Sequence, residues 1–338
     1  MSITDSFSPG EHILSGKTAD VYFLRGRDVL RSEGLNPVVT AEVFSSRAGV
    51  LCGMKEVVSL LRAVLPEDAE VMALSEGDRM AEKEVVLRIT APYDSFGIYE
   101  TAILGILAHE SGWATGAAEC VAAAQGIPVV SFGARHVHPD VSARMEYAAM
   151  IGGCVGCATS AGAELAGTAP SGTMAHAMIL IFGDTVKAIQ AFDRCIDPSV
   201  KRVALVDTFH DEAEESLRVA SALGDRLWGV RLDTPTERGR VTPEMVQEVR
   251  ARLDLAGFAH VRIVVSGGFD AERIRLFVAK HAPVDMFGVG SAISGAQPID
   301  FTMDLKVVAG RPLAKRGRIP GVTPNPRLQR ASLLKDGG

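Results

Sequence analysis

The chain has 338 residues, 47% hydrophobic, 22% charged and 6% aromatic, with 34 glycines. At about 150 residues per domain this predicts about two domains, or one barrel with an appendage, and enough apolar content to exclude disorder and any need for disulfides. A net charge of −6 excludes a dedicated nucleic-acid binder and leaves room for a local phosphate pocket.

The opening stretch MSITDSFSPGEHIL has no basic segment followed by an apolar run, so no secretory leader is expected. Val38–Phe44 and Glu84–Thr90 read as strands. Between them, Met54–Leu65 carries apolar residues at helical spacing and stops before Pro66, and Leu74–Met80 holds a Glu-Gly-Asp turn between strands. Tyr99–His109 is a second helix, with Ile103, Leu104, Ile106 and Leu107 covering more than one face.

From about Ile127 the texture changes to short β-rich runs, each followed by a polar turn and a helix. The runs are Pro128–Phe132, Arg202–Val206, Arg226–Leu232, Val261–Val265 and Val284–Val289. Helices are predicted at Val141–Ile151, Met174–Phe182, Asp211–Leu223, Pro243–Ala256 and Ala271–His281. Thr242 before Pro243, and Asp270 before its helix, are good start signals. Such alternation predicts parallel strands with right-handed crossovers. Five strand ends carry polar chemistry, which favours a barrel over an open sheet, because in a barrel every carboxyl end reaches one mouth. The longest apolar stretch, Met174–Phe182, is interrupted by His176 and too short to span a bilayer. After Gly295 the chain returns to a strand-like FTMDLKVV and then a basic, Pro/Gly-rich tail that is expected to pack on the first region. Five scattered cysteines suit reduced thiols in the cytoplasm. Cys154 and Cys157 form a CxxC, yet GGCVGCATSAG reads more simply as small residues at a crowded junction.

The strand ends supply the candidate site. Ser266-Gly267-Gly268 lets backbone N–H groups approach a ligand ahead of a helix, and Gly288-Val289-Gly290-Ser291 repeats the arrangement. Two such turns on consecutive strands favour phosphate binding over mere tight turning. Asp207 and Asp233 follow apolar strands, where a carboxylate can hold a ribose diol or a magnesium–phosphate complex. Asp207 could instead cap the next helix. Arg135 and Arg231 offer planar forks for carboxylate or phosphate, or rim salt bridges. His136 and His138 form an HxH that also fits a metal-dependent hydrolase barrel, with His176, His210 and Asp233 as further ligands. By its neighbours alone, His176 in GTMAHAMILI would be a core histidine.

Taken in order, TADVYFLRG, FGARHVHPD, SGTMAHA, LVDTF, GVRLDT, VSGGFD and FGVGS resemble the nicotinate phosphoribosyltransferases across residues 17–295. The stretch from AEVFSSRAGVLCGMKEV through SEGDRM to ETAILGILAHESGWAT also resembles the related quinolinate phosphoribosyltransferases. The resemblance implies a type II phosphoribosyltransferase. Its parts would be an N-terminal α/β sandwich-like domain (residues 1–112), an incomplete parallel α/β barrel (113–295) and a tail (296–338) completing the first domain.

The implied reaction joins nicotinate and phosphoribosyl pyrophosphate into nicotinate mononucleotide and pyrophosphate for NAD biosynthesis. It would be stimulated by ATP as co-substrate and assisted by Mg²⁺. Carried over by resemblance, Tyr22 of a partner subunit and Phe132 sandwich the pyridine, which implies a homodimer with shared sites. Arg135 and Arg231 hold carboxylate or pyrophosphate, Gly172 and Thr173 line the substrate site, and Asp207 and Asp233 take ribose hydroxyls or Mg²⁺. Ser266, Gly267, Gly268, Gly288, Gly290 and Ser291 take the 5′-phosphate, and His176 is the histidine phosphorylated by ATP. Three features depart from the pattern. RLDTPTERGR has Thr234-Pro235 where many relatives have Ser-Gly, no cysteine follows Cys195 to build a terminal zinc knuckle, and His136 and His138 have no assigned role. Alternatives are transfer to quinolinate or nicotinamide, the metal-dependent hydrolase, and a non-catalytic sugar-phosphate-binding module.

Overall fold

The structure, a computed structural model, describes residues 7–333; the first six residues of the opening stretch and the last five of the tail lie outside them. The chain divides into two compact units, one of residues up to Thr115 together with those from Gln297 onward, the other Gly116–Ala296.

The first unit is built on an antiparallel sheet. Val38–Ser45 lies at its centre, paired with Phe301–Val308 on one side and Val85–Pro92 on the other. Glu70–Ala73 and Gln329–Arg330 extend the second side, and Arg311–Pro312 edges the first. The tail thus contributes strands to the sheet begun by the N-terminal half. Val39, Ala41 and Val43 alternate into a core shared with Val57, Leu60 and Leu61 of the Met54–Val64 helix, as the apolar spacing predicts. The chain turns into that helix at Gly53 (φ 91°), where a Cβ would lie 2.8 Å from an Ile106 methyl. A buried carboxylate, Glu42, fastens the tail: its Oε1 accepts from Arg88 Nε and from the Thr323 N–H, each at 2.9 Å.

Two helices depart from the sequence reading. Val21–Ser32 is missed; it buries no residue fully, touching the core through a half-buried Leu24, and Arg25, Gly26, Arg27 and Asp28 interrupt its apolar residues. The predicted Tyr99–His109 helix is longer, Glu100–Ala123, because its second half is rich in Ala and Gly rather than an amphipathic pattern.

In the second unit six parallel strands run in the order Gly156–Cys157, Val129–Ser131, Met286–Val289, Arg262–Val265, Leu227–Leu232 and Arg202–Leu205. The last strand of this unit pairs with its first, Phe287 opposite Val129. An open doubly wound sheet reverses its order at a switch point. Here the order instead steps one way round, so this is an incomplete parallel α/β barrel. The opening falls between Gly156–Cys157 and Arg202–Leu205. The chain connecting them holds the helices Ser160–Ala166, His176–Phe182 and Thr185–Cys195. The two-residue strand and the seven-residue Ser160–Ala166 helix are too short for a periodic signal, whereas Thr185–Cys195 carries Val186, Ile189 and Phe192 at helical spacing and is a helix the sequence reading missed.

Start signals hold at Thr242, whose Oγ1 accepts from the Met245 N–H at 3.2 Å, and at Asp270, whose Oδ1 accepts from Arg273 at 2.8 Å. Cys154 and Cys157 are buried; burial pushes their thiols up to about 12 and about 11, which disfavours thiolates. A Cβ on Gly156 would collide with Ser171, so the small-residue reading of this run holds. Among the described residues no helix is long and apolar enough to cross a membrane.

Candidate active site

An open cavity of about 1060 Å³ lies in the second unit, lined by residues from the ends of its strands. On one wall Phe132 follows the Val129–Ser131 strand, and the Arg231 guanidinium lies 5.5 Å from its ring centroid. Arg231 Nη1 donates to Thr173 Oγ1 at 2.8 Å and Nη2 to Asp233 Oδ2 at 3.1 Å. Its buried Nε has no partner, so Arg231 is anchored and still holds a donor in reserve. Gly172 lines the cavity beside Thr173, and the exposed Arg135 lies on the rim.

His176 opens its helix and is not a core histidine, since its side chain is 39% exposed. One ring nitrogen, Nδ1, is 3.1 Å from Thr208 Oγ1. The other, Nε2, lies between two carboxylates, 3.6 Å from Asp207 Oδ2 and 3.7 Å from Asp233 Oδ2. Asp207 does not cap the following helix; Asp211 does, accepting from Ala213 and Glu214. Instead the Asp207 side chain is 1% exposed and neither oxygen accepts a hydrogen bond. Burial is the main cause that raises its carboxyl to about 6; the His176 imidazole pulls it down and Asp233 pushes it further up. A buried carboxylate left unsatisfied beside a histidine is costly for stability and is the mark of a site.

The glycine turns line the same cavity but divide their work. Gly267 (φ 91°) and Gly268 (φ 70°) both require the left-handed region. Ser266 is buried and its hydroxyl donates to Asp233 Oδ1 at 2.9 Å, so here it orients a carboxylate. Gly288 leaves room for the Phe132 ring, which a Cβ would strike, and Gly290 leaves room for His136 Cε1, 3.0 Å from where its Cβ would lie. Ser291 completes this side of the cavity.

The HxH pair splits. His138 Nδ1 accepts from the Asp140 N–H at 3.3 Å and caps the Pro139–Ile151 helix, while His136 lines the cavity. Neither joins His176, His210 or Asp233 in a cluster of donors close enough to share an ion among the described residues, so the cage of the alternative hydrolase reading is not assembled. Tyr22 belongs to the first unit, where it is 61% exposed and its hydroxyl donates to Asp20 Oδ2 at 3.3 Å.

Two supports escape a reading of the sequence. Glu146, fully buried, accepts from the N–H groups of Ala158 and Thr159 and fixes a loop of the cavity wall. Thr208 holds the His176 ring, and its place directly after Asp207 in VDTF was the available signal.

Two family models match the chain: the quinolinate phosphoribosyl transferase N-terminal domain over residues 20–111 and its C-terminal domain over residues 113–304. The chain belongs to the quinolinate phosphoribosyltransferase family. Within this type II phosphoribosyltransferase fold, it is 44% identical to the solved nicotinate-nucleotide pyrophosphorylase of Pyrococcus furiosus, over 93% of this chain and 81% of that one, with a TM-score of 0.87. Among curated proteins it is 34% identical to the nicotinate phosphoribosyltransferase pncB2 of Mycobacterium tuberculosis, over 71% of this chain and 51% of that protein. It is 28% identical to the nicotinate phosphoribosyltransferase of Bacillus subtilis, over 65% of this chain and 45% of that protein. The chain spans about half the length of the curated relatives it matches.

Proposed function

We propose that the chain transfers phosphoribose from phosphoribosyl pyrophosphate to the ring nitrogen of nicotinate, forming nicotinate mononucleotide and releasing pyrophosphate. The observation that carries this reading is Phe132 with Arg231: one aromatic face beside one anchored guanidinium with an unused buried N–H suits a flat ring bearing a single carboxylate. Such a transfer passes through an oxocarbenium-like state. The site's task is to aim the ring nitrogen and to stabilise developing charge rather than to form a bond to the sugar. Asp233, held by Arg231 and Ser266, is placed to accept a ribose hydroxyl. Asp207, a hard oxygen donor with both atoms unsatisfied, is the residue that would hold Mg²⁺. When bound, Mg²⁺ would neutralise the pyrophosphate.

His176 is the proposed acceptor of the ATP γ-phosphate. Its Nε2 would form the N–P bond as ADP leaves, coupling transfer to ATP hydrolysis. The two carboxylates at 3.6 and 3.7 Å would then repel the phosphohistidine and favour its discharge. The reading also includes a homodimer in which Tyr22 of the partner subunit covers the open face of the ring, and a cytoplasmic setting.

Quinolinate is the second reading, favoured by the matched family models. Its extra carboxylate needs a second cation, for which Arg135 is available on the rim. An assay with phosphoribosyl pyrophosphate, Mg²⁺ and each of nicotinate, quinolinate and nicotinamide, with and without ATP, decides between them. Product from nicotinate, raised by ATP, is expected; product from quinolinate alone transfers the reading to that substrate, and none from any pyridine ends both.

A further inference from the structure

The loop RLDTPTERGR departs from the family pattern, and its structure gives it a purpose. Thr234 is buried and donates to Glu212 Oε1 at 2.8 Å, and Arg238 reaches the same carboxylate, so the loop is pinned at two points. Gly239 (φ 86°) and then Arg240 (φ 65°) take left-handed backbone, and the Arg240 N–H returns to the Pro235 carbonyl at 3.1 Å. A side chain other than glycine, asparagine or aspartate in that region is unusual, and such strain collects at functional positions.

The reversal aims Arg240 at the Ser266-Gly267-Gly268 turn. Its Nη1 lies 3.4 Å from where a Cβ of Gly268 would be. Arg240 Nε spends a hydrogen bond on Thr236 Oγ1 at 3.3 Å, and among the described residues no carboxylate pairs with its guanidinium. Beneath the turn Arg273 donates to the carbonyls of Gly267, Gly268 and Val241 and packs 4.2 Å from the Phe269 ring centroid. Burial and the neighbouring Arg240 both lower the pKa of Arg273. Two guanidinium groups therefore share one glycine turn on the cavity wall; of the nearby acids, Asp270 acts on Arg273, and Asp233 is already held by Arg231 and Ser266. An anion bound at the turn relieves their repulsion.

We propose that Arg240 is a substrate-binding residue that clamps the phosphomonoester of the ribose-phosphate substrate against the Gly267–Gly268 turn. This rests on the phosphoribosyl reading of the cavity and adds to it the residue that selects for the phosphate. Arg273 supplies a fixed positive field; Arg240 supplies the fork.

The test is calorimetric binding of ribose 5-phosphate and of inorganic pyrophosphate to the full chain, for wild type, Arg240→Gln and Arg240→Lys, alongside KM for phosphoribosyl pyrophosphate. Arg240 is exposed, so both variants should fold, and a melting curve verifies this. Arg240→Gln should weaken ribose 5-phosphate about 10-fold and raise KM similarly, leave pyrophosphate within about 2-fold, and Arg240→Lys should fall between. Ribose 5-phosphate affinity within about 2-fold of wild type, equal losses for both ligands, or no binding by wild type overturns the assignment. Arg240-dependent binding of ribose 5-phosphate in a protein that makes no mononucleotide sustains the clamp and refutes the pyridine reading. An active transferase whose KM ignores Arg240 refutes the clamp alone.

Discussion

Glu42 in the antiparallel unit and Asp207 in the parallel unit each expose 1% of their side chains, yet their surroundings differ in kind. Glu42 accepts from Arg88 and from the Thr323 N–H, with Lys306 4.0 Å away, so its charge is answered by the fold itself. Asp207 accepts no side-chain or ladder hydrogen bond; the His176 imidazole lies 3.6 Å away, and Asp233 and Arg231 act on it only through their charge. A buried charge with all its partners holds a tail in place; one without them is held ready for a ligand or a proton. Degree of burial does not separate the two. Their hydrogen-bond partners do.

The largest expected effect breaks the comparison on the structural side. Glu42→Ala leaves the half-buried Arg88 and the buried Lys306 without their acid and frees the tail at Thr323, at a cost of about 3–5 kcal/mol. Denaturant unfolding measures this, and turnover per folded molecule should stay within about 2-fold of wild type. A loss below about 1 kcal/mol would show that Glu42 is not the fastening point.

Asp207→Asn is expected to do the reverse. A carboxyl at about 6 in the folded chain, above its ordinary value of 3.8, binds its proton more tightly when folded. The stability this brings is present below the ordinary value and is lost as pH rises through 6. The asparagine should therefore match wild type near pH 3.5 and be more stable by roughly 2 kcal/mol at pH 8, with transferase activity at least about 10-fold lower. Melting temperature against pH reads the first part; equal melting temperatures at pH 8 would put Asp207 in the same class as Glu42.

The contrast also marks where the sequence is readable. Strand runs ending at Phe132, Val206, Leu232, Val265 and Val289 stand out because β-rich segments between helices have one period and clear caps. A barrel follows from that alternation and from chemistry at successive strand ends; its incompleteness is implied only by the family resemblance. The Gly156–Cys157 strand is too short for any period, and the Glu100–Ala123 helix fades into small residues that pack without an apolar stripe. In VDTFHDEAE, Asp207 and Asp211 are equally good caps by sequence; only the chain's path gives Asp211 that task and buries Asp207. The Ser266-Gly267-Gly268 turn is visible as a phosphate-type motif, whereas the Ser266 hydroxyl's turn toward Asp233 depends on the neighbouring strand. Tyr22, proposed to act on a second copy of the chain, is marked by its motif alone.

Thr208 offers the smallest and most selective test of the site side. Its Oγ1 is the only partner of His176 Nδ1 among the described residues, so it fixes which ring nitrogen faces Asp207 and Asp233. Thr208→Val keeps the shape and removes one hydrogen bond, worth about 0.5–1.5 kcal/mol, or a roughly 3- to 10-fold fall in kcat/KM. Packing is preserved, so the melting temperature should move little, while the NMR signals of the His176 ring should broaden or move because its orientation is no longer fixed. Thr208→Ser, which retains the hydroxyl, should restore most of both. If valine and serine behave alike, His176 is oriented by the two carboxylates alone, and the unsatisfied Asp207 then positions the imidazole as well as receiving charge.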